Sequence, residues 1–287
     1  MRLELGRVLL FGLGYTGGFI ARALQAQGVK VIATRRSAAG KVRGFGGDVL
    51  DARLLQDLSD VDAVISCIPP DENGDAAARW LAGLPRQASG HLRWLGYLSA
   101  TSVYPAGEVS EDTPVRAEDE AGRRRILAEQ QWQVLAKRFD CDSAVFRLPA
   151  IYGPGRNALM QLAQGRARWI AAAQVRFNRI HVEDIAGIVL AAMARPCKQA
   201  VYLPCDELSA SQADVLRYAA SLSGLALPTA QTLDDPALSP ALRRFYQQGE
   251  KRIDNRRTRE ELHWQPCYRD YRQGLDAAWQ AGDGRVF

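Results

Sequence analysis

The run Val8-Leu9-Leu10-Phe11-Gly12-Leu13-Gly14-Tyr15-Thr16-Gly17 narrows the possible folds of this chain more than any other feature. Four apolar residues read as a buried strand, the residues after Thr16 read as an amphipathic helix, and a G-x-G-x-x-G turn joins the two. In that setting each glycine has a task. Gly12 permits the tight turn, Gly14 lets the backbone approach a pyrophosphate, and Gly17 lets helix and strand pack closely. The helix start, with Tyr15 and Thr16, offers free N–H groups and a dipole that favours an anion. A turn serving packing alone is the competing reading, and the strand and helix on either side weigh against it.

A second strand, Val29 to Ala33, runs into Thr34-Arg35-Arg36-Ser37. An NAD site places an acidic residue here to grip the ribose hydroxyls. Two arginines stand in its place, and a guanidinium holds a 2′-phosphate by charge-assisted hydrogen bonds where a carboxylate would repel it. The expected cofactor is therefore NADP, with Arg35, Arg36 and Ser37 at the phosphate; two surface arginines at a strand end are the alternative. Further on, Asp48 is placed to accept from the adenine amino group, or else caps a helix start. Cys67-Ile68-Pro69-Pro70 forms a stiff turn where a dinucleotide crosses the sheet, so backbone contact is expected from Ile68 and Pro69.

Strand patterns at 7–12, 29–33, 61–67, 94–99 and 143–147 alternate with helical patterns at 16–27, 52–58, 75–84 and 118–139. This predicts an α/β fold, a Rossmann-type doubly wound parallel sheet. Beyond Tyr152 helices dominate, at 183–194, 211–222, 240–247, 258–262 and 271–281. The division expected is a dinucleotide-binding core over 1–152 and a small, mainly helical substrate lobe over 153–287, with a stretch near 175–203 returning to the core. The five cysteines are spread with no C-x-x-C pair, and the three histidines lack ligand spacing, so neither a disulfide framework nor a metal site is expected. A net charge of +5 invites an acidic partner, but the densest basic run, Arg123-Arg124-Arg125, is surrounded by acidic residues and reads as a solvated helix face rather than a nucleic-acid surface. No signal peptide or membrane-spanning stretch is read, which points to a cytoplasmic protein with no membrane partner.

Several landmarks occur in one order: the glycine turn, Gly47-Asp48-Val49-Leu50-Asp51, Ser99-Ala100-Thr101-Ser102-Val103-Tyr104, Arg147-Leu148-Pro149-Ala150-Ile151-Tyr152-Gly153-Pro154-Gly155, Arg179-Ile180-His181-Val182-Glu183-Asp184, and Lys251-Arg252-Ile253-Asp254-Asn255. Together they resemble the extended branch of the short-chain dehydrogenase/reductase superfamily, the group of nucleotide-sugar epimerases and dehydratases. The resemblance implies cofactor contacts from Ser99, Arg125, Pro149 and Ile151, and a substrate side formed by Tyr152, Arg156, Asn178, Arg179 and His181. It also implies a dimer formed through the 118–139 helix. Catalysis in that group rests on a serine or threonine, a tyrosine and a lysine. The matching positions here hold Ala100, Ala121 and Arg125. Alanine moves no proton, and arginine stays charged at any working pH.

This pattern resembles the superfamily's atypical members. The leading expectation is an NADP-dependent oxidoreductase for a small carbonyl or alcohol, with the proton carried by Thr101, Ser102, Tyr104 or Tyr152. A non-catalytic NADP(H)-binding redox sensor and a nucleotide-sugar epimerase or dehydratase are the alternatives.

Overall fold

Side chains that alternate along a strand sort the molecule into layers. In a computed structural model of the chain, Val8 and Leu10 enter one hydrophobic cluster while Leu9 and Phe11 enter another, and all four are fully buried. The structure describes residues 3, 5–37, 40, 42–46, 53–86, 91–170, 175–236, 238, 243, 246–247 and 249–285.

The strands are β1 (Arg7–Phe11), β2 (Lys30–Arg35), β3 (Arg43–Gly44), β4 (Ala63–Ser66), β5 (Trp94–Ala100), β6 (Gly107–Val109), β7 (Asp142–Leu148), β8 (Ala150–Tyr152), β9 (Arg179–His181), β10 (Ala200–Tyr202) and β11 (Lys251–Ile253). The helices are α1 (Tyr15–Ala26), α2 (Arg53–Leu58), α3 (Ala76–Ala82), α4 (Glu120–Phe139), α5 (Ala158–Ala163), α6 (Val182–Ala194), α7 (Gln212–Ser223), α8 (Arg256–Leu262) and α9 (Tyr271–Gln280). Seven parallel strands form the main sheet in the order β3-β2-β1-β4-β5-β7-β10. The order reverses at β1, and α1 follows β1 at that switch point.

Ile20 and Leu24 of α1 and Ile185, Ile188 and Val189 of α6 cover one face of the sheet. Leu54 and Leu58 of α2, Leu81 of α3 and Trp132 and Leu135 of α4 cover the other. A third cluster joins Leu159, Val215, Leu216 and Leu275 from α5, α7 and α9. The doubly wound sheet and the helical C-terminal group both match expectation.

Element ends move by a residue or two, and the caps explain them. Asp119 accepts from Gly122 N–H at 2.7 Å, so α4 begins at Glu120 rather than at 118. Glu120 then pairs with Arg123 and Arg124 on an exposed surface. β3 falls where a third strand is expected to end, just before Gly47, whereas the short strands β6, β8, β9, β10 and β11 have no expected counterpart. The expected 240–247 helix lies largely outside the described residues.

Candidate functional site

Gly12 adopts φ +88, and its N–H donates to Thr34 Oγ1 at 3.1 Å while Leu13 N–H reaches Thr34 O at 2.7 Å. The turn is thus tied to the end of β2. A Cβ on Gly17 would lie 2.2 Å from Gly12 O, closer than any side chain tolerates. Gly14 is different: a Cβ there would meet nothing within 4 Å. The protein's own packing leaves Gly14 free of neighbours, and the space in front of it belongs to a cleft of about 300 Å³ bordered by Arg35, Arg36, Phe45, Ile68 and Pro69. This cradle at a helix N-terminus fits a pyrophosphate.

Arg35 and Arg36 are exposed at the rim. Arg35 Nε donates to Leu13 O at 3.0 Å, and neither guanidinium is paired with a carboxylate among the described residues. Ser37 is exposed beside them, and Thr16 is half-buried in the first turn of α1. Asp48 lies outside the described residues. Tyr15 turns away from the cleft: its hydroxyl donates to Pro154 O at 3.0 Å, and the Arg156 guanidinium lies 5.5 Å over its ring. Burial pushes its pKa up to about 12.

At the carboxyl ends of β5 and β7 a smaller cavity of about 60 Å³ is bordered by Thr101, Pro149, Ala150, Asn178, Lys251 and Ile253, among others. Of the four residues expected to carry a proton, Thr101 alone borders it. Ser102 is half-buried, and its carbonyl lies so near α4 that a Cβ on Gly122 would come within 2.4 Å.

Four other candidates are committed elsewhere. Ser99 Oγ donates to Glu129 Oε1 at 2.5 Å, and Arg147 Nη2 donates to Glu129 Oε2 at 2.7 Å. Arg147 also donates to the Tyr104 hydroxyl, which itself donates to Ser110 O at 3.1 Å. Ser99 and Tyr104 therefore belong to a buried polar network that ties α4 to β5 and β7. Tyr152 donates to Asp270 O at 3.1 Å, and burial raises its pKa strongly, as burial also raises that of Tyr104. Both hydroxyls thus have structural partners within the protein. Arg125 Nη1 reaches Leu98 O at 3.3 Å, directed at the β5 backbone. Ile151 packs, half-buried, against the core that contains α1.

The expected substrate-side residues divide likewise. Arg179 donates to Phe177 O at 2.9 Å and Ala210 O at 2.7 Å, a structural brace. His181 Nδ1 accepts from Glu183 N–H at 3.3 Å and caps α6, with its pKa lowered by burial to about 4. Asp184 accepts from the N–H groups of Cys267 and Tyr268 at 2.6 and 3.1 Å, so it anchors the C-terminal chain. Asn178 borders the small cavity, and its Oδ1 is buried without a partner. Arg156 borders a separate cleft of about 500 Å³ together with Arg166 and Arg168. Lys251, which stands above only within a family landmark, also borders the small cavity. Among the described residues no group of three or more His, Cys, Asp or Glu could hold a metal ion, and no helix is long and apolar enough to cross a membrane.

A glycine turn at the switch point of a parallel, doubly wound sheet defines a Rossmann-type protein of the dinucleotide-binding class. The sequence profile described as "NAD dependent epimerase/dehydratase family" matches residues 8–202, and the chain belongs to that family, within the extended short-chain dehydrogenase/reductase superfamily. A functionally unknown conserved protein from Silicibacter pomeroyi DSS is 37% identical, with 97% of this chain and 99% of that one covered at a TM-score of 0.86. MoeE5 in complex with UDP-glucuronic acid and NAD is 21% identical, with 94% and 97% covered at a TM-score of 0.76. The human epimerase family protein SDR39U1 with NADPH is 17% identical, with 96% and 99% covered at 0.75. The last two likenesses show the fold alone. No curated protein matches significantly.

Proposed function

We propose that this protein binds NADP(H) at the glycine turn and interconverts a small carbonyl compound and its alcohol in the cavity that Thr101 borders. One observation carries the cofactor choice: Arg35 and Arg36 stand at the cleft rim without carboxylate partners among the described residues. Fold neighbours include several structures with NAD and one with NADPH, so the fold accommodates either cofactor and does not decide this point. Two guanidiniums where a carboxylate would grip a ribose favour the 2′-phosphate.

When bound, the nicotinamide supplies or accepts a hydride. The chain's own residues do the rest. Gly14 and the start of α1 hold the pyrophosphate, Pro149 and Ala150 border the reaction cavity, and Thr101 orients the substrate oxygen by a hydrogen bond. Ala121 has no proton to give, and Tyr104 and Tyr152 are held in structural hydrogen bonds. This reading therefore takes the proton from a group other than these three.

The test follows NADPH oxidation at 340 nm with propanal, cyclohexanone and 4-nitrobenzaldehyde. Turnover with NADPH well above that with NADH is expected; no turnover by a protein that binds NADPH tightly would remove the oxidoreductase reading. The cleft bordered by Arg156, Arg166 and Arg168 favours a second reading, in which the substrate is a nucleotide-linked sugar whose phosphates meet these cations. Calorimetry with UDP-glucose discriminates the two: saturable binding lost in Arg168→Ala supports the second, and no heat removes it.

A further inference from the structure

Resting on the carbonyl reading above, we propose that Lys251 is the proton donor and acceptor of this site, replacing the tyrosine whose place Ala121 takes.

The geometry comes from a ribbon separate from the main sheet. Lys251 opens β11, which pairs in parallel with β6 in the register Lys251↔Gly107 and Ile253↔Val109. Gly107 N–H donates to Glu250 O at 2.9 Å, and Asp254 N–H donates to Val109 O at 2.8 Å, so both ends of β11 are fixed. The ribbon brings Lys251 to the cavity that Thr101 borders at the end of β5 and that Pro149 and Ala150 border after β7. A proton donor and a hydroxyl capable of orienting an oxygen thus share one small space. That space lies at the carboxyl edge of the sheet, where Rossmann folds bind their ligands.

The surroundings suit proton transfer. Lys251 is half-buried, and no carboxylate among the described residues ion-pairs with its ammonium. Burial holds its pKa below the usual lysine range, against Glu118 and Asp119 at the start of α4, which favour the charged form. Arg176 borders the cavity too, its guanidinium bonded to Ser209. On β6, Glu108 pairs with Arg252, not with Lys251. Composition adds a further argument: of 37 basic residues only five are lysines, and arginine in this position would hold charge but release no proton.

In reduction, hydride from NADPH bonds to the carbonyl carbon and the C=O π pair moves to oxygen. That oxygen takes a proton from Lys251 Nζ, so alcohol and NADP⁺ form and a neutral amine remains, which water reprotonates. In oxidation the neutral amine removes the hydroxyl proton as hydride leaves to NADP⁺.

Two measurements test this together. The first is trace labelling of the apoprotein with acetic anhydride from pH 6 to 11, with each lysine read by mass spectrometry. Lys251 should reach half-labelling at least about one pH unit below Lys198, whose ammonium Asp140 stabilises. The second compares the wild type with Lys251→Met and Lys251→Arg on 4-nitrobenzaldehyde and NADPH. Both variants should bind NADPH as the wild type does, lose at least about 100-fold in kcat, and lose the fall in reduction rate at high pH that titration of Lys251 imposes. Lys251 labelling in step with Lys198, or a Lys251→Met enzyme within threefold of wild type, overturns the proposal and leaves the carbonyl reading standing. A wild type inert towards the aldehyde overturns that reading and the proton-transfer role with it.

Discussion

Gly14 and Gly17 are three residues apart in one turn, yet they lack side chains for different reasons. A methyl group on Gly17 would strike Gly12 O, whereas one on Gly14 would meet no protein atom. Gly17→Ala should therefore destabilise the fold by about 2 kcal/mol or more, seen as a lower denaturation midpoint. Gly14→Ala should fold with wild-type stability and weaken NADPH binding at least about tenfold, because its methyl group projects where phosphate sits. Equal stability losses in the two variants would contradict this division. Both glycine roles were legible in the sequence, since strand, turn and helix are local. The fates of Ser99 and Tyr104 were not: their partners Glu129 and Arg147 come from α4 and β7, and no local pattern reports which hydroxyl a distant ion pair captures.

At the scale of elements, that ion pair joins α4 to the sheet. The side chains of Arg147 and Glu129 are only 7% and 4% exposed, so removing one leaves the other charged and almost without solvent. Glu129→Ala should cost about 3–5 kcal/mol, measured by urea denaturation, and a loss below about 1 kcal/mol would show that water replaces the carboxylate. The long elements were legible from periodicity; the strands of two or three residues were not. β6 and β11 carry three residues each and pair across more than 140 positions of chain, from Gly107 to Lys251. Alternation needs more residues than that to be read. Lys251 comes to border the cavity through this pairing, which leaves no local trace in the sequence.

For the molecule as a whole, pH should act through Asp206, which is buried with neither carboxyl oxygen hydrogen-bonded. Burial pushes its pKa from the ordinary 3.8 up to about 8 despite nearby Arg179. Between those values the folded state keeps a proton that the unfolded chain releases, so this residue's contribution to stability falls as pH rises through that window. Asp206→Asn, neutral at every pH, should show a smaller drop in urea midpoint between pH 5 and pH 8 than the wild type; an equal drop would exclude Asp206 as the source. The doubly wound architecture was legible in the order of strand and helix patterns, and so were the glycine turn and the two arginines after β2. Calorimetric titration of the wild type and an Arg35→Ala/Arg36→Ala variant with NADPH and NADH tests the cofactor choice those arginines support. NADPH should bind the wild type at least about tenfold more tightly than NADH, and the double variant should lose the difference through weaker NADPH binding alone. Equal affinities in the wild type, or a preference that survives the loss of both arginines, would contradict it.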